Sequence, residues 1–351
     1  MLLVFFVYLI LFFALAAVLI FVLDRSIRSK GYQGPRSDHF NGVQFFNIKN
    51  SADKENRRGS ILRWILFREK NVWKKREVTR TKPTARVLGA KLVATLINHA
   101  TVLIQTEGLN IITDPIYSKR ASPFSFLGPH RFTEPGVAFN DLPPIDVVLI
   151  SHNHYDHLDI ATLKRLVARD NPQIFVALGN KAFLEGKGIT NVVELDWWGS
   201  STISVDVSLT CVPAQHFSAR ALSDRNKTLW CGYVIQTPHG DIYFAGDTGF
   251  GPFADMIAEH FPNGFRFGLL PIGEFRPQWF MKEVHFSPDD AFQMQQRINI
   301  QEVLAIHFGT FKLADDKQDE PMNRVKELVV NLPSTKKFRA LPNGSSVEIS
   351  R

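Results

Sequence analysis

The segment SHNHYDHLD, residues 151–159, places His152, His154, Asp156 and His157 inside six positions, directly after the apolar run PIDVVLIS. Structure alone accounts poorly for such a group, since buried imidazoles need partners and clustered exposed ones add little to folding. Imidazole and carboxylate are the donors a zinc-type divalent ion prefers, and two neighbouring ions can share such a loop. One loop cannot complete two coordination shells. Further donors are expected from other strand ends, and the fold has to bring those ends together.

Three residues meet that demand. His216 follows LTCVP within PAQHFS, Asp247 closes DIYFAG within GDTGF, and His307 ends VLAIHF. Each alone has a plainer reading as a satisfied core histidine or a turn aspartate. They gain weight together, because all three sit at the same end of expected strands. Short β-rich runs begin with KLVATLI, HATVLIQT and LNIITD and continue through QIFVAL, TISV, LTCVP, CGYVIQT, DIYFAG, GLLPI and VLAIHF. Helical stretches are expected at 160–168, 251–259, 288–298 and 321–332. This mixture argues a sheet-based α/β or α+β domain, and spacing alone does not choose between them.

The N-terminal quarter differs. Residues 1–23 carry no charged side chain, and the 22-residue run from Leu2 to Leu23 would span about 33 Å as a helix, close to the hydrocarbon thickness of a bilayer. A secretory signal would have basic residues before a shorter apolar core. None precedes this one, so an uncleaved anchor is favoured, with a cleaved signal or buried helix as the alternatives. Residues 24–92 hold 18 Lys+Arg against 6 Asp+Glu; with that segment at +12 and the chain at +7, residues 93–351 carry −5. Arg25, Arg28, Lys30 and Arg36 follow the apolar run at once, which by the positive-inside rule puts the rest of the chain in the cytoplasm, as a single-pass membrane protein. The excess continues through Arg57-Arg58, Lys74-Lys75-Arg76 and Arg86, read as a surface for anionic lipid headgroups or as a solvated face. The organisation expected is an anchor at 1–23, a basic arm at 24–90 with an amphipathic stretch at 61–67, and a catalytic domain at 91–351. The two cysteines, Cys211 and Cys231, build no disulfide framework.

The pattern HxHxDH at His152 to His157, with a later lone His, an Asp in GDT and a late His, resembles the metallo-β-lactamase superfamily. The resemblance implies an α/β fold, an αββα sandwich with its metal site at one edge of two packed sheets. It also implies two divalent ions, zinc foremost: one held by His152, His154 and His216, the other by Asp156, His157 and His307, with Asp247 bridging. Longer strings, INHATVLIQT, TDPIYSKRASPFSFLGPHRF, SHNHYDHLD, PAQHFSAR, FAGDTGF and PIGEFRPQWFMKEVHFSPDDA, resemble the N-acylphosphatidylethanolamine-hydrolysing phospholipase D branch, from about residue 92 to 312. Residues 1–60 fall outside that likeness.

What the branch implies is attack of a metal-bridging hydroxide on phosphorus, releasing an N-acylethanolamine and leaving phosphatidic acid. Asp156 would orient the hydroxide or take its proton. Asp114, in ITDPIY, would lie beneath the site as partner to a ligand histidine, its alternative being a turn aspartate before proline. His285, in KEVHFSP, matches an additional active-site histidine able to bond a phosphoryl oxygen or the leaving alkoxide, its alternative being a residue preceding a helix. His99, His39, His130, His239 and His260 receive no role. Phe124, Phe126, Trp279 and Phe280 are candidates for an acyl channel or for core packing.

The partners expected are a phospholipid substrate and an anionic membrane surface, with homodimerisation left open. Nucleic acid is not expected, because a net negative domain repels a polyanion. The rivals are a hydrolase of the same fold acting on RNA or on a small lactone or phosphodiester, and a membrane-anchored domain holding metal without catalysis.

Overall fold

The computed structural model describes residues 2–48, 63–64, 66–69 and 71–349. Arg57, Arg58 and the positions 61, 62 and 65 of the expected amphipathic stretch lie outside the described residues; 63–64 and 66–67 are helical. The chain opens with helix α1 (Leu2–Ile27), of mean hydropathy 3.1 over its most apolar window and with none of that window buried, a candidate membrane span by length and composition.

Among the described residues, fourteen strands follow in two sheets of seven. The first contains β1 (Leu92–Asn98), β2 (Thr101–Thr106), β3 (Leu109–Thr113), β4 (Val147–Ile150), β5 (Gln173–Ala177) and β6 (Val192–Leu195), ordered from one edge to the other after β14 (Ser346–Ile349). In the second, β7 (Ser200–Thr202), β8 (Ser208–Val212), β9 (Gly232–Gln236), β10 (Ile242–Phe244), β11 (Phe265–Pro271), β12 (Ile300–Ile306) and β13 (Lys337–Arg339) lie in sequence order. The helices that cover them are α2 (Ile160–Asp170), α3 (Phe253–His260), α4 (Pro288–Arg297) and α5 (Glu320–Leu328), with short turns at Lys181–Glu185 and Gln278–Met281.

The two-residue period of a strand builds the layers. In β4, Val147 and Leu149 face the other sheet while Val148 and Ile150 face outward. In β12, Leu304 and Ile306 face inward and Val303 and Ala305 outward. Both faces are apolar, so these strands read as continuous hydrophobic runs. Leu163 and Leu166 of α2 cover the outer face of the first sheet, while Phe253 and Ile257 of α3, Ala291 and Met294 of α4 and Val325 of α5 cover that of the second. Each fully buried Val, Leu, Ile or Phe contributes about 1.5–3 kcal/mol. The result is a four-layer αββα sandwich, as the resemblance implied.

Several elements were not anticipated. β6, β13 and β14 had no strand assigned, and the strand expected at TISV is instead Ser200–Thr202, before Ile203 turns back toward Val207. β14 returns to pair antiparallel with β1, Leu92 opposite Ile349. The described part of the basic arm is not detached from the domain. Phe40 and Phe45, each 1% exposed, join the core between the sheets. His39 is bonded through Nδ1 to Asp38 (2.6 Å) and through Nε2 to Asp196 (2.8 Å). Trp64 donates to Asp315 at 2.8 Å, and Arg76 grips Asp319 with two nitrogens at 2.7 and 2.6 Å.

Candidate metal centre

β3, β4, β5 and β6 run parallel, as do β10, β11, β12 and β13, so their carboxyl ends collect at common edges. The candidate residues lie just beyond those ends: Asp114 after β3, the 152–157 loop after β4, Asp247 after β10 and His307 after β12. β8 runs with β10, each being antiparallel to β9, and it delivers His216. Gly246 lets the second sheet approach the loop. It has φ +61, and a Cβ there would lie 2.5 Å from the Ser151 Cβ and 2.9 Å from the Cys231 carbonyl.

Asp114 is fully buried and organises the loop from below. It accepts from His157 Nδ1 at 2.6 Å, from the Ser151 hydroxyl at 2.6 Å and from the Ser151 N–H at 2.7 Å. The same hydroxyl accepts from His152 Nδ1 at 2.9 Å. Both histidines are thereby turned with Nε2 toward the centre, the arrangement that sets tautomer and basicity in metal-binding histidines. His216 is fixed likewise, donating from Nδ1 to the Val284 carbonyl at 2.8 Å. Asp159 caps α2 by accepting from Ala161 and also receives the N–H groups of Tyr117 and Ser118, clamping the far end of the loop to the segment after Asp114.

Two groups of donors result. His152 Nε2 lies 2.8 Å from His154 Nδ1, which is 3.3 Å from His216 Nε2. Asp156 Oδ2 lies 3.2 Å from His157 Nε2 and 3.4 Å from His307 Nε2. Asp247 Oδ2 stands between the groups, 3.2 Å from His157 Nε2, 3.0 Å from His307 Nε2 and 3.8 Å from His216 Nε2. Its Oδ1 is buried without a partner.

These residues fit bound divalent metal. His152 and His157 both spend Nδ1 below, so their Nε2 atoms converge as lone pairs on a space bounded by two carboxylates, and closely apposed lone pairs call for a positive charge between them. Without a cation, Asp247, Asp156 and Asp114 outweigh burial and hold His157 well above the ordinary imidazole value, so a proton competes for the position a metal would take. Burial raises Asp247 and Asp156, yet the neighbouring histidines outweigh it and hold both well below the usual carboxylate range. Burial pulls His307 down, but Asp247 and Glu274 outweigh that and set it at about 10. For His154 burial outweighs the pull of Asp156 and Asp247, and it falls to about 3.

His285 sits at the rim, 7% exposed, with Nδ1 3.8 Å from Asp247 Oδ2 and Nε2 3.7 Å from Glu274 Oε2. Burial lowers it to about 4, so it is a neutral imidazole near pH 7. It also lies two residues before Ser287, the cap of α4, the place its plainer reading gave it. Two members of the site had no role assigned from sequence. His99, between β1 and β2, places Nε2 2.9 Å from Asp156 Oδ2 and its ring 4.0 Å from that of His307. Glu274 stands 3.8 Å from His307 Nε2. Glu274 follows β11 as Asp247 follows β10, so the strand-end rule would have found it; His99 offered no such signal. The expected channel aromatics divide: Phe126 and Trp279 are exposed, Phe124 and Phe280 half-buried, and none lies in the core.

A family model described as a beta-lactamase superfamily domain matches residues 109–308, from the start of β3 to the residue after His307. The chain is 38% identical over 249 residues to N-acyl-phosphatidylethanolamine-hydrolyzing phospholipase D 1 of Caenorhabditis elegans, covering 68% of this chain and 70% of that protein. It is 35% identical over 230 residues to the mitochondrial N-acyl-phosphatidylethanolamine-hydrolyzing phospholipase D of Saccharomyces cerevisiae, covering 63% of this chain and about half, 48%, of the yeast protein. Among solved structures, a metallo hydrolase from the archaeon Ignicoccus hospitalis superposes with a TM-score of 0.56 at 20% identity, covering 74% of this chain and 99% of that one, a likeness of fold. The chain therefore belongs to the metallo-β-lactamase superfamily and, within it, to the branch resembling N-acylphosphatidylethanolamine-hydrolysing phospholipase D. It is a metal-dependent hydrolase.

Proposed function

We propose that the protein is a membrane-anchored, zinc-dependent phosphodiesterase that cleaves N-acylphosphatidylethanolamine or a closely related phospholipid on the headgroup side of phosphorus. The products are phosphatidic acid and the N-acylethanolamine or headgroup alcohol. The observation that carries the chemistry is the convergence of His152, His154, Asp156, His157, His216, Asp247 and His307 at the carboxyl ends of two facing sheets. The lipid reading is supported by the activity for which the nematode and yeast relatives are named.

Two bound divalent ions would supply a Lewis-acid clamp on the phosphoryl oxygens and lower the pKa of the attacking water. His152, His154 and His216 would hold one, Asp156, His157 and His307 the other, with Asp247 between them. As water adds to phosphorus and the P–O bond to the headgroup breaks, a proton must leave the water and one must reach the departing alkoxide. Asp156 commits Oδ2 to His99, His157 and His307, which leaves its other oxygen to orient the water and take its proton. His285, neutral and at the rim, is suited to donate an N–H to a phosphoryl oxygen or the departing alkoxide. Asp114 acts through His157 and Ser151 and touches no substrate.

The full chain in detergent, incubated with N-acylphosphatidylethanolamine, phosphatidylcholine and single-stranded RNA, should release N-acylethanolamine by mass spectrometry and leave RNA intact. Cleavage of RNA without lipid would overturn the substrate, and an Asp247→Asn variant that kept full activity would overturn the two-ion site. The reading also places α1 across the bilayer with the domain on the cytoplasmic face, which protease protection in sealed cells would test.

A further inference from the structure

The root of α1 is bonded to the domain. Asp24 accepts from the Ser223 N–H at 3.1 Å and from the Ser223 hydroxyl, the Ser29 N–H donates to Asp224 Oδ2 at 2.8 Å, and the Tyr32 N–H donates to the Lys227 carbonyl at 2.8 Å. Asp224 is buried, and its Oδ1 also accepts from the N–H groups of Arg220 and Ala221 at 2.9 and 2.8 Å. One carboxylate thus ties the foot of the helix to the loop after His216.

That loop reaches the metal centre. Arg220 donates to the carbonyls of Asn153 and Leu158 at 2.8 and 3.0 Å, and Phe217 packs edge-on against His154 with ring centres 4.5 Å apart. The Arg220 carbonyl accepts from the Tyr155 hydroxyl at 2.9 Å. Tyr155 in turn packs against Ile116, Ala121 and Phe311, which roots a second loop, 121–128. Both loops hold large apolar side chains out in solvent: Leu222 is 84% exposed, Phe126 77% and Leu127 60%. Scattered exposed apolar residues are ordinary on a protein surface. These three lie on loops joined through Tyr155, one of them bonded to the foot of an apolar helix whose most apolar window is unburied. Exposed Arg25, Lys30 and Arg225, which suit anionic headgroups, lie along the same segments.

We propose that loops 121–128 and 220–225 form a rim that docks on a phospholipid bilayer. With α1 in the membrane, the Asp24–Ser223 and Ser29–Asp224 joint seats Leu222, Phe126 and Leu127 among the headgroups and upper acyl chains, and turns the half-buried His154 side of the centre toward the lipid. The proposal rests on the membrane reading of α1 and gives the lipid-hydrolase reading its approach path.

The test reconstitutes the full chain in vesicles of phosphatidylcholine and phosphatidylglycerol that carry shallow nitroxide lipids. A fluorophore is attached at Leu222→Cys, Phe126→Cys or, as control, the exposed Val330→Cys; Cys211 and Cys231 are buried and escape labelling. Labels at 222 and 126 should be quenched several-fold more than the label at 330. Asp24→Ala, which touches no residue of the metal centre, should bring quenching at 126 down toward the control. If the label at 126 is quenched no more than that at 330, the rim does not dock, even should 222 be quenched through its closeness to the helix. If Asp24→Ala leaves quenching at 126 unchanged, the joint does not orient the domain. Quenching is read without turnover, so quenching without lipid hydrolysis upholds docking and overturns only the proposed activity, whereas hydrolysis without quenching overturns docking alone.

Discussion

Asp114 shows how far one side chain's influence extends in this site. It is fully buried, yet its Oδ2 sets the ring orientation of His157 directly and that of His152 through the Ser151 hydroxyl, while Oδ1 holds the Ser151 N–H. Asp114→Asn keeps the shape but puts an amide donor or a weaker acceptor against groups that already donate. It should reduce metal affinity or activity about 10- to 100-fold, the usual cost of losing such a partner. Metal titration with a competing chelator would measure this, and unchanged affinity would mean that the loop backbone alone orients the rings. At this scale the sequence was highly legible. The seven proposed ligands and Asp114 and His285 are all brought together, because short motifs keep chemical identity and strand-end position in one string. His99 was not legible, since its role depends on the left-handed turn between β1 and β2, with φ +47, which points the ring across to Asp156.

Elements behave less locally. α4 begins with a capping box in which Ser287 and Asp290 satisfy each other's backbone N–H groups, two residues after His285. Ser287→Ala should cost about 1 kcal/mol in urea unfolding and, by loosening the start of the helix, should lower kcat more than bulk stability implies. The arm has its own dependence on pH. Burial pulls His39 down, but Asp196 and Asp38 outweigh it, so its folded pKa lies above the ordinary 6.5. A raised value means that the stabilisation from His39 is complete below about pH 6.5 and is lost as pH climbs through the folded pKa. Hydrogen exchange across residues 32–46 should therefore quicken as pH rises above about 6.5, relative to the sheets and after correction for intrinsic exchange, and His39→Gln should abolish the difference. Strands that are apolar on both faces, such as β4, β11 and β12, were evident as runs, whereas β6, β13 and β14 were not. β14 has only four residues, alternating exposed and buried, and is a strand because β1 offers it an edge. That information is tertiary.

At the scale of the whole molecule, the two sheets meet at the metal centre as well as in the core, so bound ions would cross-link them. Ligands that bind only the folded state stabilise it, by about 2.7 kcal/mol at a hundred times the dissociation constant. Chelation should lower Tm, and zinc should restore it in a dose-dependent way by differential scanning fluorimetry; an unchanged Tm would argue against ions held by both sheets. The chain's charge division also acquires a place in the fold. From sequence the basic segment was an arm whose packing on the catalytic domain stayed open, because composition shows where charge changes and says nothing of which residues fill a core.

Phe40 and Phe45 carry a last consequence. They lie fewer than twenty residues past α1 and sit between the sheets, while Ser29 is already buried against Asp224. The segment is therefore pinned at both ends, with the exposed stretches 33–38 and 41–44 looping out between its buried points. The segment that follows α1 thus closes the gap between the sheets as well as joining the helix to the domain, so removing it would leave a cleft where the two phenylalanines now sit.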